Sequence, residues 1–190
     1  MKTLTVVGVG ALGSHAVMLL RNSGATLRVI DFDRVEQKNV SSQFHGSAMV
    51  GKSKVQSLQQ TMNFLFKAKI DVVPHKLTKD NQKQLLGGSD LVLDCLDNGA
   101  SRRLVQDFVR AEKIPCLHGA LAADGGFGRV VWDEKFEIDN DSAGVATCEN
   151  GAHLPFIAVT ASLLAKAAQD FLLHGKKQGF QIHPAGVFLV

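Results

Sequence analysis

The sequence predicts an α/β fold of the Rossmann type, a mostly parallel sheet flanked by helices with an antiparallel extension near the C-terminus. Three observations carry that expectation. Strand-length apolar runs alternate with segments of helical period along most of the chain. A glycine-rich turn, Gly8-Val9-Gly10-Ala11-Leu12-Gly13, joins the first run to the first helical segment. An acidic residue, Asp31, closes the second run, where a ribose-binding carboxylate is placed in dinucleotide folds.

The elements follow in order. Leu4 to Val7 reads as the first strand, Ala11 to Asn22 as the helix behind the glycine turn, and Leu27 to Ile30 as the second strand. Further strands are predicted at Ile70 to Val73, Leu91 to Leu93 and Pro115 to Leu117. Helices are predicted at Ser53 to Phe66, Asn81 to Leu86, Ala100 to Glu112 and Phe156 to Leu173. Such alternation folds into right-handed βαβ units around a parallel sheet. Gly126 to Trp132 alternates small or polar with apolar residues and is expected to begin the antiparallel extension. The polar stretch that follows, with Asp139-Asn140-Asp141-Ser142, reads as a loop long enough to be functional or mobile.

A chain of 190 residues with 45% hydrophobic and 21% charged content is read as one domain spanning residues 1–190. Its 21 basic and 18 acidic residues are spread evenly, which argues against a nucleic-acid arm or a membrane-binding patch. Three cysteines, Cys95, Cys116 and Cys148, give neither a disulfide framework nor a paired-cysteine zinc site, and a reducing cytoplasm is expected. Met1-Lys2 runs straight into a strand, so no signal peptide is expected. Leu154 to Leu173 is strongly apolar but contains Lys166, Gln169 and Asp170, and is read as a buried helix instead of a membrane span.

The glycine turn has a specific chemistry. Gly8 permits the tight turn, Gly10 lets backbone approach a phosphate, and Gly13 allows helix to pack on strand. The helix N-terminus then offers free N–H groups and a positive dipole end to an anion. Asp31 is spaced to accept from ribose hydroxyls, but NAD, FAD and ATP all carry that ribose. Discrimination comes from Lys54, at the start of the third helical segment, because a cation near the β- and γ-phosphates offsets charge as pyrophosphate departs. Asp94-Cys95-Leu96-Asp97-Asn98, with Arg102 behind it, falls at the carboxyl end of the fourth strand, where open α/β sheets bind ligands. Asp97 is suited to hold Mg²⁺ through one carboxylate while phosphate oxygens complete the shell.

Gly8-x-Gly10-x-x-Gly13-Ser14, Asp31-x-Asp33-x-Val35-Glu36, Asn39, Gly51-x-x-Lys54 and Asp97-Asn98-x-x-x-Arg102 resemble, in that order, the ThiF/MoeB/E1 superfamily of enzymes that activate ubiquitin-like and sulfur-carrier proteins. The resemblance runs from about Leu4 to Phe171. It implies a domain that binds ATP and Mg²⁺ and adenylates the C-terminal carboxylate of a small β-grasp protein or peptide, as a homodimer or heterodimer. It gives Asp31 the ribose, Asn39 and Lys54 the phosphates and Asp97 the metal, with Asp33, Gln43 and Asn98 among the nucleotide-binding set and Lys54, Asp97 and Arg102 as the catalytic group. Thr147-Cys148-Glu149-Asn150-Gly151 is similar to the cysteine-containing segment of the sulfur-carrier branch, so Cys148 is either a thiol nucleophile or an inert loop cysteine.

Two departures stand out. The family's arginine that contacts ATP phosphates is replaced in Asn39-Val40-Ser41-Ser42-Gln43 by Ser42, which gives at most a hydrogen bond and no charge. The N-terminal arm and the paired-cysteine zinc module of many relatives are not seen in this sequence. A catalytically weakened binding subunit is therefore the second functional expectation, and an NAD-dependent oxidoreductase or sensor the third. His15 and His118 are read as packed imidazoles, and Cys95 and Cys116 as small core residues.

Overall fold

The computed structural model describes residues 1–122, 124–138 and 151–190. Its strands are β1 (Thr3–Val7), β2 (Thr26–Ile30), β3 (Asp71–Val73), β4 (Leu91–Asp94), β5 (Cys116–Leu121), β6 (Gly128–Trp132), β7 (Phe180–His183) and β8 (Gly186–Leu189). Its helices are α1 (Ala11–Leu20), α2 (Lys54–Phe66), α3 (Gln82–Leu86), α4 (Gly99–Glu112) and α5 (Leu154–His174). The strands form one sheet in the order β3-β2-β1-β4-β5-β6-β7-β8. The first five pair in parallel, and β6, β7 and β8 add on antiparallel. The chain therefore builds outward from β1 in both directions, and the switch of direction falls between β1 and β4, where a crevice opens at the carboxyl ends.

Strands covered on both faces are mainly apolar, and in β1 and β4 the buried exceptions are partnered: Thr5 bonds to Ser89 at 2.7 Å and Asp94 ends β4 in an ion pair with Arg102. Leu4, Val6, Leu91, Leu93 and Leu117 face one large core with α1, α2 and α5. Val7, Ile30, Val92 and Cys116 face a second core with α3 and α4. Strand β5 passes so close beneath the helices that a Cβ on Gly119 would lie 3.2 Å from both Leu12 and Leu164. Alanines at positions 161, 165 and 168 let α5 approach α1 closely.

The predicted helix at Phe156 to Leu173 is present, longer by a few residues and buried on one side only. Ile157, Ala161, Leu164 and Ala168 point inward, whereas Ser162, Lys166 and Gln169 are exposed. By length and composition alone this helix is apolar enough to cross a membrane. The antiparallel extension expected from Gly126 is also present. The hairpin β7–β8, closed by Pro184-Ala185, was not anticipated from the sequence. The polar stretch from Asp139 lies outside the described residues.

Leu164 is fully buried where α5 meets β5. Leu164→Ala is expected to lower unfolding free energy by about 3 kcal/mol, read from urea denaturation with an unchanged m-value.

Candidate functional site

The glycine turn is set by backbone contacts that no larger residue permits. Gly8 has φ +87°, and a Cβ there would lie 2.9 Å from the Cys95 carbonyl oxygen. A Cβ on Gly13 would lie 1.9 Å from the Gly8 carbonyl oxygen. These two glycines close the turn onto the exit of β4 and bring α1 down onto β1. Gly10 differs, because a Cβ there would meet only Gln43 Nε2, at an ordinary 3.8 Å. Packing alone therefore does not demand a glycine at position 10. Helix α1 starts at this point with no side-chain cap, and its first amides have no partner within the helix.

Beside the turn stands Asp31. Its Oδ2 accepts from the Val9 N–H at 2.8 Å and its Oδ1 from the Asp33 N–H at 2.8 Å. Burial raises the Asp31 carboxyl above its usual range, against the pull of Lys54 and of these amides. The chain after β2 is clipped to the start of α2: Val35 N–H bonds to Lys52 O, Gly51 N–H to Val35 O and Lys54 N–H to Asp33 O. The clip delivers the Lys54 ammonium, buried but for a few per cent, to Asp33 Oδ2 at 3.0 Å. Next to it the Ser53 hydroxyl is buried with no hydrogen-bond partner among the described residues.

Asn39 and Gln43 are also buried at this edge. Asn39 Oδ1 accepts from the Glu36 N–H at 2.8 Å in a reciprocal cap of the short helical turn Gln37–Asn39. Ser42, in the position of the expected arginine, is buried and offers its carbonyl to His15 Nε2 at 3.1 Å. Burial lowers the His15 pKa, against that bond.

A residue not singled out in the sequence, His45, braces the turn from beneath. Its Nε2 lies 3.0 Å from the Val9 carbonyl and its Nδ1 3.4 Å from Ser57 Oγ. The carbonyl only accepts, so Nε2 carries the proton and Nδ1 accepts from the serine. Burial lowers the His45 pKa to about 4; the bond to Val9 opposes this and the Lys54 charge adds to it. Ser14, buried on α1, accepts from the Phe44 N–H at 2.9 Å and fastens the same segment.

Across the turn, at the end of β4, Asp97 and Asn98 are exposed. Asn98 Oδ1 caps α4 by accepting from the Ser101 N–H at 2.9 Å, and its Nδ2 donates to Asp97 Oδ1 at 3.3 Å. Arg102, expected in the catalytic group with Lys54 and Asp97, is turned inward. Its guanidinium donates to the fully buried Asp94 at 3.0 Å and to the Gly119 carbonyl at 2.9 Å. A buried carboxylate demands such a partner, so this cation is committed to the interior.

His118 extends the buried cluster. It is a packed imidazole as expected, stacked on Phe136 at 4.0 Å, but both of its ring nitrogens face carboxylates. Nδ1 lies 2.7 Å from Asp94 Oδ2 and Nε2 3.1 Å from Asp133 Oδ1. Burial opposes the imidazolium, yet Cys116, Asp133 and Asp94 outweigh it and hold His118 well above its ordinary pKa. Gln106 and Arg110 of α4 complete the shell of Asp133. Burial pushes both the Cys95 and Cys116 thiols up, which suits their expected packing role. Cys148 lies outside the described residues. Two cavities, of about 220 and 460 Å³, lie elsewhere, against Trp132 and Lys177 and beside Gln59 and Lys69.

Residues 2–185 match the ThiF family. The chain belongs to the ThiF family. The molybdopterin-synthase adenylyltransferase of Salmonella typhimurium is 32% identical over 182 residues, which cover 89% of this chain and 72% of that protein. The probable adenylyltransferase/sulfurtransferase MoeZ of Mycobacterium tuberculosis is 33% identical over 134 residues, 68% of this chain and 34% of MoeZ. This ThiF-family chain thus matches about a third of the length of MoeZ. Among solved structures, Escherichia coli MccB in complex with MccA-N7isoASN superposes with a TM-score of 0.81 at 14% identity, covering 100% of this chain and 63% of MccB. At that identity the likeness is one of fold, and it agrees with the Rossmann-type architecture expected from the sequence.

The two glycines make opposite predictions. Gly13→Ala is expected to lower stability by at least about 3 kcal/mol, because the added carbon meets backbone. Gly10→Ala is expected to stay within about 1 kcal/mol of the parent in chemical denaturation. His45 gives a pH dependence: its folded pKa lies below the unfolded 6.5, so its neutral form favours folding above that value and the advantage is lost as pH falls toward 4. A loss of about 2 kcal/mol between about pH 7.5 and about pH 5 is expected, absent in His45→Gln, which keeps a donor for Val9 without titrating.

Proposed function

We propose that this chain binds ATP at the Gly8–Gly13 turn and uses it to adenylate a carboxylate of a small carrier protein or peptide. The observation that carries the reading is the delivery of Lys54, through the Asp33 clip, to the edge shared by the glycine turn and Asp31. An open backbone at Gly10 and an orphaned Ser53 hydroxyl beside Lys54 fit a phosphate chain there. The names of the relatives support the chemistry: an adenylyltransferase in Salmonella, a SAMP-activating enzyme E1 in Haloferax volcanii, and MccB solved with ATP.

In the proposed reaction a carboxylate oxygen attacks the α-phosphorus, the bond to the bridging oxygen breaks, and acyl-adenylate and pyrophosphate form. Asp31 orients the ribose, the α1 amides hold the phosphates, and Lys54 exchanges Asp33 for the departing pyrophosphate. Mg²⁺ would neutralise phosphate charge. No cluster of three or more metal-ligating side chains exists among the described residues, but Mg²⁺ bound to a nucleotide needs only one or two carboxylates, and the exposed Asp97 fits that requirement. Asn39 adds to the phosphate side, and Gln43 and Asn98 belong to the nucleotide-binding set. The cysteine usage suits a reducing cytoplasm, and we place the active form as a homodimer or heterodimer.

Ser42 favours one second reading, a nucleotide-binding subunit that works beside an active relative, because it leaves an uncharged residue where the family resemblance puts an arginine. Carrier-dependent ATP–pyrophosphate exchange separates the two. Exchange by the parent that is abolished in Lys54→Ala and Asp97→Ala supports adenylation, and unchanged exchange in both variants overturns these roles. Calorimetric ATP binding without any exchange supports the subunit reading, and tighter binding of NAD than of ATP replaces both.

A further inference from the structure

Beneath the turn that carries Asp97 lies a charged cluster that the proposed chemistry does not touch. Asp94 is fully buried, and its two oxygens have different tasks. Oδ2 receives Arg102 Nη1 at 3.0 Å and His118 Nδ1 at 2.7 Å. Oδ1 accepts the backbone N–H of Leu96 at 3.0 Å, one residue before Asp97. With Oδ2 saturated by two cationic donors the carboxylate cannot rotate, and Oδ1 is left aimed at Leu96. The other side of this turn is fixed by Gly8, whose backbone touches Cys95. His118 is itself immobilised, stacked on Phe136 and anchored through Nε2 to Asp133 at 3.1 Å.

We propose that His118 is a positioning residue for the Asp97 turn, acting through its Nδ1 contact with Asp94, and that its purpose is to preset Asp97 for the metal of a bound metal–nucleotide complex. The inference rests on the nucleotide-binding reading above. Groups that orient a metal ligand without touching the metal have a characteristic signature, a loss of metal affinity of about tenfold or more on removal. Binding of the nucleotide without metal is expected to stay intact, because the side-chain hydrogen bonds of Asp94, Arg102 and His118 reach neither the glycine turn nor Lys54.

The two ring nitrogens allow the role to be separated from simple packing. In His118→Asn the side-chain amide takes the place of Nδ1 and keeps a donor for Asp94 while losing Asp133. In His118→Gln the amide takes the place of Nε2 and keeps Asp133 while losing Asp94. Mn²⁺ serves as the probe, its binding to the protein–ATP complex followed by electron paramagnetic resonance, with metal-free ATP binding measured by calorimetry. His118→Gln is expected to weaken Mn²⁺ binding about tenfold and His118→Asn to remain within about threefold of the parent, with metal-free ATP affinity unchanged in both. A purely structural role would lower the melting temperature of both variants and leave Mn²⁺ affinity alone, and that result overturns the proposal. So does an equal loss in the two variants. Should His118→Gln not fold, Asp94→Asn reads the same contact from its other end, and a folded Asp94→Asn with parental Mn²⁺ affinity overturns the proposal as well. Absence of any Mn²⁺–ATP binding by the parent chain overturns this inference together with the nucleotide reading, whereas parental binding with unaltered variants overturns this inference alone.

Discussion

Everything at the carboxyl edge of the sheet depends on a backbone stack of three segments. Gly13 rests on the carbonyl of Gly8, and Gly8 rests on the carbonyl of Cys95. Because side chains are missing at both contacts, the first helix, the first turn and the exit of β4 come within van der Waals distance of one another. That approach places the N-terminus of α1 over β1 and the Asp97 turn on its far side. It also gives His45 a fixed carbonyl to hold, since Val9 is pinned between Asp31 on its N–H and the imidazole on its oxygen.

Charge is distributed around this stack in two separate systems. On the side of α2, Lys54 and Asp33 form a pair half open to solvent, and the histidine next to them is kept neutral. On the side of α4, Asp94, Arg102, His118 and Asp133 form a pair of carboxylates interleaved with cations, nearly all of it out of water. Removing one member of such a buried set costs far more than the set contributes as a whole. The outer system is thus free to change partners, and the inner one is not.

The pattern of β1 to β6 and the five α-helices among the described residues was legible in the sequence because each element carries its own period, and the glycine turn announces itself through its position between a strand and a helix. The hairpin β7–β8 was not. Its strands are four residues each, and β8 is exposed along most of its length, so little hydrophobic pattern distinguishes it from a loop until β6 supplies a pairing edge. Asp31, Asp33 and Lys54 were legible as a set from their order in the sequence, and the structure brings them together. The inward turn of Arg102 was not, because its partners are Asp94, a few residues back, and a carbonyl on a different strand. His45 and the double pairing of His118 were hidden for the same reason. A histidine reveals its neighbours only when the fold joins residues tens of positions apart, and no local spacing encodes that.

The Lys54–Asp33 pair has one more consequence. A nearly buried ammonium ion with no counter-ion would be a standing cost to the folded chain, and here Asp33 neutralises it. Under the proposed function an arriving anion would therefore not meet a bare positive charge but would displace a carboxylate that already occupies the place, and the displaced carboxylate, half exposed, would be rehydrated. Attraction at this point is a difference between two counter-ions in the same seat. Such an exchange discriminates: a singly charged visitor gains nothing over Asp33, and only a denser or multiply charged one shifts the balance.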